Sequence, residues 1–484
     1  NFPLALRSTV ALDAGGRFSP PRAKPAAGDP VVSQLMISVS GIRGIVGESL
    51  TPVVVADYAA KFATWLPPGP IVFGRDSRPS GPALRHAILG ALTGVGREVI
   101  ELGIVPTPTV QVEVESRHAA GGIALTASHN PIEWNALKLI GGDGRFLSPA
   151  AGRRFLDAAA GMTPDWKRWD ELGQVTTALD PLARHLELIL GLDFLDLAAI
   201  RAKRFHVVLE AVHGAGGAMG RRLLSALGCR FDILFEEPTG YFPRVAEPLA
   251  ENLGILCAHV AGPAGGGEAY DAGFAFDPDV DRLSLVDETG RALGEEFTLA
   301  LAARFVLERQ PGPAVTNLST SAMIDAVADR LGRKVLRTPV GEANVVLEMA
   351  ASGAAIGGEG NGGVILPAVH LGRDAPVGVA LILGLLAATG KKLSELAAEM
   401  PIMAMVKARR ELTTSPDLSL LVAPLTAALP GGILDERDGL KVARPGEWIH
   451  VRKSGTEPIV RVIAEAGTLA RANELKDLVL DALD

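Results

Sequence analysis

The feature that most constrains this chain's fold is a recurring pattern, in which a short apolar run is followed by a loop rich in glycine and polar residues. Such runs end at Phe73, Leu125, Leu209, Phe276 and Val315. Apolar runs of this length predict buried strands, and we expect a helix after each loop. Alternating strands and helices predict α/β layers with largely parallel sheets. Ligands bind beyond the carboxyl ends of such strands, which is where the polar loops lie.

The length of 484 residues is too great for one hydrophobic core. At roughly 100–200 residues per domain, three or four domains are expected. The final stretch alternates more in polarity (residues 404–412, 448–452 and 459–464) and ends in an amphipathic segment, which predicts a smaller α+β domain from about residue 405. Residues 1–32 are rich in Ala, Pro and Gly; we expect a poorly ordered extension there, with a transit peptide as the alternative.

Composition excludes several classes of function. The net charge of −8 gives no basic footprint for nucleic acid. No uninterrupted apolar stretch is long enough to span a bilayer, so we expect no membrane partner. The two cysteines, Cys229 and Cys257, do not indicate a disulfide framework; we expect two buried thiols in a reducing compartment, the cytoplasm.

The first loop of chemical interest, here the serine loop, is Thr126-Ala127-Ser128-His129-Asn130-Pro131. A serine at a strand end can be a nucleophile or a phosphoryl carrier, but these residue types are also typical of a turn or a helix N-cap. A Ser–His hydrolase pair is disfavoured, because adjacent residues of an extended chain point to opposite sides and no G-x-S-x-G turn is present.

The second, the metal loop, is Asp277-Pro278-Asp279-Val280-Asp281-Arg282. Three carboxylates at alternating positions can converge on one cation, and oxygen-only ligands suit Mg²⁺ rather than Zn²⁺. The alternative is a solvated acidic turn. Like charges this close repel unless a cation neutralises them, which favours a metal site.

Two further loops carry candidate ligand-binding groups. The sugar loop, residues 357–363, offers Glu359 and Asn361 among glycines, as sugar hydroxyls require, although a glycine-rich turn explains it equally well. The phosphate loop, residues 452–458, offers Arg452 with hydroxyls and backbone N–H groups; the alternative is a charged turn. Two arginine-containing segments, around Arg43 and at residues 74–78, read individually as solvated turns or structural ion pairs.

Taken together and in this order, the four loops resemble those of the phosphoglucomutase/phosphomannomutase superfamily, the α-D-phosphohexomutases, from about Met36 to the C-terminus. The resemblance implies four domains around a central cleft, the first three of similar α/β topology. By that analogy the domains comprise residues 33–173, 174–293, 294–404 and 405–484.

The resemblance also implies an activity and its residues. The chain would be an isomerase that interconverts hexose 6-phosphate and hexose 1-phosphate through a phosphoserine and a hexose 1,6-bisphosphate, with Mg²⁺ as cofactor. Ser128 would carry the phosphoryl group and, with Asp277, Asp279 and Asp281, hold the metal. The substrate would contact Glu359, Asn361, Arg452, Ser454, Gly455 and Thr456, and the transfer site would contain Arg43, His129, Arg282 and Lys138, the last as proton-transfer partner. A cytoplasmic monomer or homodimer is expected.

The sugar is less constrained than the reaction. Asn361 and Gly363 stand where many bacterial members have Ser and His, and this form is similar to archaeal-type phosphohexomutases, often phosphoglucosamine mutases. We therefore expect glucosamine phosphate, with mannose and glucose phosphates as alternatives. Two other classes remain: a non-catalytic sugar-phosphate-binding relative, and an NAD(P) oxidoreductase suggested by residues 214–220, where Met219 replaces the third glycine of the dinucleotide motif.

Overall fold

The structure is a computed structural model that describes residues 35–38, 41–262, 269–411, 417–453 and 459–483. The first sheet has seven strands in the order β1-β2-β6-β5-β3-β4-β7. Its strands are β1 (Met36–Ser38), β2 (Gly41–Ile45), β3 (Ile71–Arg75), β4 (Val99–Ile104), β5 (Gly121–Leu125), β6 (Trp134–Gly141) and β7 (Val175–Thr177). Its helices are α1 (Pro52–Trp65), α2 (Gly81–Gly94), α3 (Thr107–Ser116) and α4 (Pro149–Gly161). β7 lies beyond residue 173 yet pairs with β4.

The second sheet has four strands in the order β11-β10-β8-β9. They are β8 (His206–Glu210), β9 (Arg230–Leu234), β10 (Ala272–Phe276) and β11 (Leu283–Asp287). The helices of this region are α5 (Ala183–Leu190), α6 (Leu197–Lys203), α7 (Gly217–Ala226) and α8 (Gly254–Ala261), with a 3₁₀ turn at Ala250–Asn252. Its central strands β8 and β10 are buried, as their apolar runs predict.

The third sheet has five strands in the order β13-β12-β14-β15-β16. They are β12 (Ala314–Asn317), β13 (Val335–Thr338), β14 (Ile356–Glu359), β15 (Gly363–Leu366) and β16 (His370–Arg373). The helices are α9 (Glu295–Leu307), α10 (Met323–Arg330), α11 (Glu342–Ser352), α12 (Ala375–Thr389) and α13 (Leu393–Ala398). The apolar α12 packs against α9 and α6, so the most hydrophobic helix lies inside the core.

The fourth sheet is antiparallel throughout, in the order β17-β21-β20-β19-β18. Its strands are β17 (Ala404–Glu411), β18 (Ile433–Asp435), β19 (Leu440–Arg444), β20 (Glu447–Lys453) and β21 (Ile459–Ala466). It carries a 3₁₀ turn (Leu418–Leu421), α14 (Val422–Ala428) and α15 (Leu469–Ala482), whose Leu475 and Val479 are buried. Three α/β layers and a smaller C-terminal α+β domain are confirmed.

One expectation about the sheets is wrong. The serine and metal loops are not followed by the helices expected there: they connect β5 to β6 and β10 to β11, and both strand pairs are antiparallel. The sugar loop likewise connects an antiparallel pair, β14 and β15. Each α/β sheet therefore combines a parallel part with an antiparallel part. The three loops occupy corresponding positions in three successive sheets, which brings their side chains together.

Two other expectations concern the cysteines and membrane-spanning segments. Cys229 and Cys257 are free thiols, half-buried rather than fully buried. Among the helices of the described ranges, none combines the length and the apolar character that crossing a membrane requires.

Candidate functional site

The serine, metal and sugar loops meet in a cleft of about 510 Å³ to which all four sheet regions contribute. Its lining includes Arg43, His129, Trp134, Glu247, Arg282, Glu296, Asn317, Glu359, Asn361, Lys407 and Arg452. A larger groove of about 790 Å³ between the third and fourth sheets shares none of these lining residues. The central cleft is therefore the candidate site.

Ser128 is held in an unfavourable backbone conformation. It is 4% exposed and has a φ of 50°, in the left-handed region that costs a residue with a Cβ about 1–2 kcal/mol. The fully buried Arg78 offsets this cost by donating to the backbone carbonyls of Ser128 (2.6 Å) and Asn130 (2.7 Å). Asp76 accepts from Arg78 Nε at 3.0 Å and from the Thr126 hydroxyl at 2.7 Å. Residues 74–78 thus contribute a structural ion pair that shapes the serine loop, not a solvated turn.

The three aspartates of the metal loop converge. Asp277, Asp279 and Asp281 are at most 1% exposed, which rules out a solvated acidic turn, and they offer oxygens within 4.8 Å of one another. Ser128 Oγ donates to Asp277 Oδ2 at 2.8 Å. Within the described residues, Oδ1 of Asp279 and Oδ1 of Asp281 are buried with no hydrogen-bond partner. Such oxygens are costly unless a cation or donor satisfies them, so the triad fits a metal ion.

The charges around the triad reinforce this conclusion. Lys138 Nζ lies 2.6 Å from Asp279 Oδ2 and 3.4 Å from Asp281 Oδ2. Burial alone would raise the pKa of Asp279, but the Lys138 charge and hydrogen bonds outweigh burial and lower it. Burial and the charges of Asp281 and Asp279 raise the pKa of Asp277 well above its usual value. A bound cation would relieve this repulsion.

His129 lies beside the serine but is not well placed to activate it. Its Nδ1 is 3.4 Å from Ser128 Oγ, and its Nε2 is 3.8 Å from Glu247 Oε1. Ser128 is in the left-handed region rather than extended, so its side chain and that of His129 do not point to opposite sides. The shorter contact of Ser128 Oγ is nevertheless with Asp277, at 2.8 Å. Burial and the charge of Arg282 hold the pKa of His129 well below its usual value, so the ring is neutral at pH 7.

Two arginines reach the same end of the cleft. Arg43 Nη1 donates to Asn130 Oδ1 at 2.9 Å, which ties the first segment of the chain to the serine loop. Arg282 Nη1 donates to Glu247 Oε1 at 2.6 Å. Both guanidinium groups line the cleft with His129, and their role in phosphoryl transfer stays a prediction.

The sugar loop presents two polar side chains to the cleft. The Glu359 carboxylate is 5% exposed and accepts from Asn317 Nδ2 at 2.8 Å and from the Gly341 N–H at 3.2 Å. Asn361 Oδ1 accepts from the Gly363 N–H at 3.1 Å, which closes the turn. Neither group is a free surface residue.

The phosphate loop is only partly described. Arg452 lines the cleft and donates from Nε to Asp438 Oδ2 at 3.0 Å, with 18% of its side chain exposed. Ser454, Gly455 and Thr456 lie outside the described residues. Their assignment as phosphate ligands stays a prediction.

Several residues near the site were not predicted, among them Trp134, Glu247 and Asn317 of the cleft lining. Arg373 bridges carboxylates of the metal and sugar loops, and Glu296 and Lys407 line the cleft. No spacing rule identifies them, because their partners are distant in sequence. The glycine at position 363 is an indirect sign of Arg373, because a Cβ there would lie 2.3 Å from Arg373 Cδ.

The glycine-rich stretch at residues 214–220 serves packing. A Cβ on Gly214 would lie 2.7 Å from the backbone of Pro278, and one on Gly220 would lie 2.0 Å from Leu209 Cδ2. Glycine is needed there because the metal loop and β8 approach closely. This accounts for the stretch without a dinucleotide.

Comparison with known proteins agrees with this geometry. Models of the phosphoglucomutase/phosphomannomutase domains match in order: α/β/α domain I at residues 35–160, domain II at 183–290, domain III at 295–403 and the C-terminal domain at 407–482. A Methanopyrus kandleri protein named "Probable phosphoglucosamine mutase" is 35% identical over 450 residues, covering 91% of this chain and 96% of its own. A Thermococcus kodakarensis protein named "Phosphoglucomutase/phosphomannomutase" is 36% identical over 455 residues, covering 92% and 97%.

A solved structure gives the same result. The crystal structure of a phosphoglucomutase/phosphomannomutase family protein from Burkholderia thailandensis matches with a TM-score of 0.80 and 25% identity, over 93% of this chain and 96% of that one. The resemblance carried by the four loops is confirmed, and the chain belongs to the phosphoglucomutase/phosphomannomutase family.

Proposed function

We propose that this enzyme is a phosphohexomutase that transfers a phosphoryl group between the 1- and 6-positions of a hexose phosphate by way of Ser128. The observation that carries the proposal is the buried contact between Ser128 Oγ and Asp277 at 2.8 Å, beside two buried carboxylate oxygens that have no hydrogen-bond partner among the described residues. A serine in this place can hold a phosphoryl group where a cation and the substrate both reach it.

The acidic triad is the proposed site of Mg²⁺. Asp277, Asp279 and Asp281, with an oxygen of the serine phosphate, offer the hard oxygen ligands that this cation prefers. Bound there, Mg²⁺ would supply charge stabilisation to the phosphoryl group in transfer.

The remaining groups position the substrate and neutralise the charge of the phosphoryl group. Arg43 and Arg282 place positive charge at the end of the cleft next to Ser128, where charge on the phosphoryl oxygens is stabilised. We propose Lys138 as a proton-transfer partner: as an ammonium paired with Asp279 and Asp281, it can donate a proton to the serine oxygen when the phosphoryl group leaves. The neutral His129 beside the serine can take the proton that the attacking sugar hydroxyl loses. Glu359 and Asn361 bind sugar hydroxyls, and Arg452 with Ser454, Gly455 and Thr456 binds the phosphate that is not reacting.

A single serine and a single phosphate loop impose a sequence of events. The phosphoserine gives its group to one end of the sugar phosphate, and the resulting hexose 1,6-bisphosphate turns within the cleft. Its other phosphate then returns to Ser128. Hexose 1,6-bisphosphate is therefore both the intermediate and the activator of enzyme that has lost its phosphate.

For the sugar we propose glucosamine phosphate, with mannose and glucose phosphates as the alternatives. The name of the Methanopyrus kandleri relative supports the first, and that of the Thermococcus kodakarensis relative supports the others. The values of kcat/KM for all three sugars, measured on one preparation, rank them directly.

The test of the reaction is a coupled mutase assay with a trace of hexose bisphosphate, on the parent and on Ser128→Ala. The parent should turn over and carry one phosphate by intact mass, while the variant should fold, lose most turnover and carry none. A phosphate on another residue, or full turnover by Ser128→Ala, would contradict the proposal. A parent that binds hexose phosphates without converting them would be a non-catalytic relative.

A further inference from the structure

Arg373 lies behind the cleft, between its metal and sugar sites, with only 10% of its side chain exposed. Nη2 donates to Asp281 Oδ2 at 2.6 Å, Nη1 to Glu359 Oε2 at 3.1 Å, and Nε to Glu342 Oε2 at 3.0 Å. One guanidinium thus contacts three carboxylates from three different elements. Its planar fork suits this arrangement, because each donor direction is fixed relative to the others.

We propose that Arg373 is a positioning residue that orients a metal ligand, Asp281, and a sugar ligand, Glu359, at the same time. The inference rests on the proposed function for the identity of those two ligands. It adds that metal binding and sugar binding share one structural support.

At the metal site, the contact with Arg373 determines which carboxylate oxygen of Asp281 is left for a cation. Arg373 and Lys138 occupy Oδ2 of Asp281, whereas its Oδ1 has no hydrogen-bond partner among the described residues and only a longer ion-pair contact, 3.8 Å from Arg282 Nε. Asp279 shows the same division: Lys138 and the Thr107 hydroxyl (3.0 Å) occupy Oδ2, and Oδ1 is unpartnered. The donors on the outer oxygens fix the rotation of each carboxylate, as the surroundings of metal ligands generally do.

On the sugar side, Arg373 completes the set of donors around Glu359. Asn317 and the Gly341 N–H hold Oε1, and Arg373 holds Oε2, with Asn361 Nδ2 more distant at 3.5 Å. Without the guanidinium, Oε2 would keep only this long contact. The direction in which Glu359 presents its oxygens to a sugar hydroxyl therefore depends on Arg373.

Arg373 is itself firmly held. The absent side chain of Gly363 makes room for it, since a Cβ there would lie 2.3 Å from Arg373 Cδ. The next residue, Asp374, is fully buried and is hydrogen-bonded to His185 Nε2 at 2.6 Å and to His370 Nε2 at 3.0 Å. His185 Nδ1 is bonded in turn to a threonine hydroxyl of α3 at 2.9 Å. The backbone at Arg373 is thereby anchored to elements of the first and second sheet regions.

The test measures the two sites separately. Mn²⁺ affinity is measured by electron paramagnetic resonance on dephosphorylated protein without sugar, and hexose 6-phosphate affinity by calorimetry in EDTA. Arg373→Lys keeps the charge but loses the fork, so both dissociation constants should rise about tenfold, as expected for the loss of one charge-assisted hydrogen bond. Arg373→Met also removes the charge and should raise the sugar constant further; for Mn²⁺ the loss of a repelling positive charge opposes the loss of the fork, so that constant should rise less.

Comparison variants separate the positioning role from general damage. Thr107→Val removes a donor from Asp279 and should weaken Mn²⁺ only. Asn317→Ala removes a donor from Glu359, together with the acceptor of the Ser319 N–H, and should weaken the sugar only. Arg304, which also contacts two glutamates (Glu308 and Glu399) but lies outside the cleft lining, is the matched control; Arg304→Lys should change neither affinity.

The outcomes are distinct. A joint rise in both constants for Arg373→Lys supports the proposal, and it does so even if Arg373→Met does not fold. A change in neither constant, or in only one, refutes it. Absence of mutase activity in the parent would refute the proposed reaction but leave these binding measurements interpretable.

Discussion

Glu296, a carboxylate in the cleft wall, makes the stability of this protein depend on pH. Its side chain is 12% exposed; the Ser321 N–H donates to Oε2 at 3.0 Å, and Lys407 Nζ lies 3.9 Å from Oε1. Burial, only partly offset by Lys407, raises its pKa to about 8 from an ordinary value of 4.5. Between these two values the folded protein holds a proton that the unfolded chain releases, so stability falls as pH rises from about 4.5 through 8.

The size of the effect follows from the difference between the pKa of Glu296 in the folded protein and its ordinary value. Each pKa unit corresponds to about 1.4 kcal/mol, which sets an upper bound of roughly 5 kcal/mol, and reorganisation around the ionised group reduces it. We expect about 2–3 kcal/mol to be lost between pH 5 and pH 8.5. Glu296→Gln keeps the acceptor for Ser321 and cannot ionise, so it should lack this loss.

The assay compares apparent melting temperatures of parent and variant from pH 5 to pH 8.5. The two should agree near pH 5, and the variant should melt several degrees higher at pH 8.5. Glu295→Gln is the matched control: Glu295 Oε1 pairs with the same Lys407 Nζ at 2.9 Å, but Glu296 is still present, so this variant should keep the parental loss of stability with pH. A parent–variant difference that is the same at both pH values would refute the reasoning.

Three further predictions concern the reaction. Asp279→Asn, which removes one charge from the triad at nearly constant volume, should lower kcat by orders of magnitude; EDTA should inactivate the parent reversibly, and full activity in EDTA without bound metal would contradict the site. Asn361→Ser should change the ratio of kcat/KM between glucosamine, mannose and glucose phosphates more than it changes the melting temperature; an unchanged ratio would remove the loop from sugar selection. Arg452→Ala should lower kcat/KM about ten- to hundredfold in both directions and increase release of bisphosphate, with partial rescue in Arg452→Lys; parental kinetics would place the phosphate site elsewhere.

Much of the site was predictable because its chemistry is concentrated in short segments. Ser128 and the three aspartates each lie directly after a buried apolar run, and a dense acidic cluster at such a strand end is typical of a cation site. The α/β class followed from the same runs. These signals are local, so one sequence is enough to find them.

The antiparallel strands were missed for a physical reason. β6 is an eight-residue segment buried along most of its length, and a buried strand lacks the alternation that distinguishes a strand from a buried helix. The loop before it therefore looked like the start of a helix.

The supports of the site were missed for a different reason. Arg373 contacts Asp281 across 92 positions of sequence, and Arg78 contacts the Ser128 carbonyl across 50. Such contacts exist only once the sheets have docked. Arg373 on its own is indistinguishable from a surface residue, and for the segment that contains Arg78 the sequence left both a solvated turn and a structural ion pair open.

The corresponding positions of the serine, metal and sugar loops have a mechanical consequence. Each loop is built rigidly into its own sheet, while the contacts that matter cross from one sheet region to another, as between Ser128 and Asp277 or Arg373 and Asp281. Small rotations of whole domains would separate these groups by ångströms without breaking a single strand pairing. Activity should therefore be more fragile than structure: in mild denaturant, turnover should disappear while the circular dichroism of the sheets and helices is still intact.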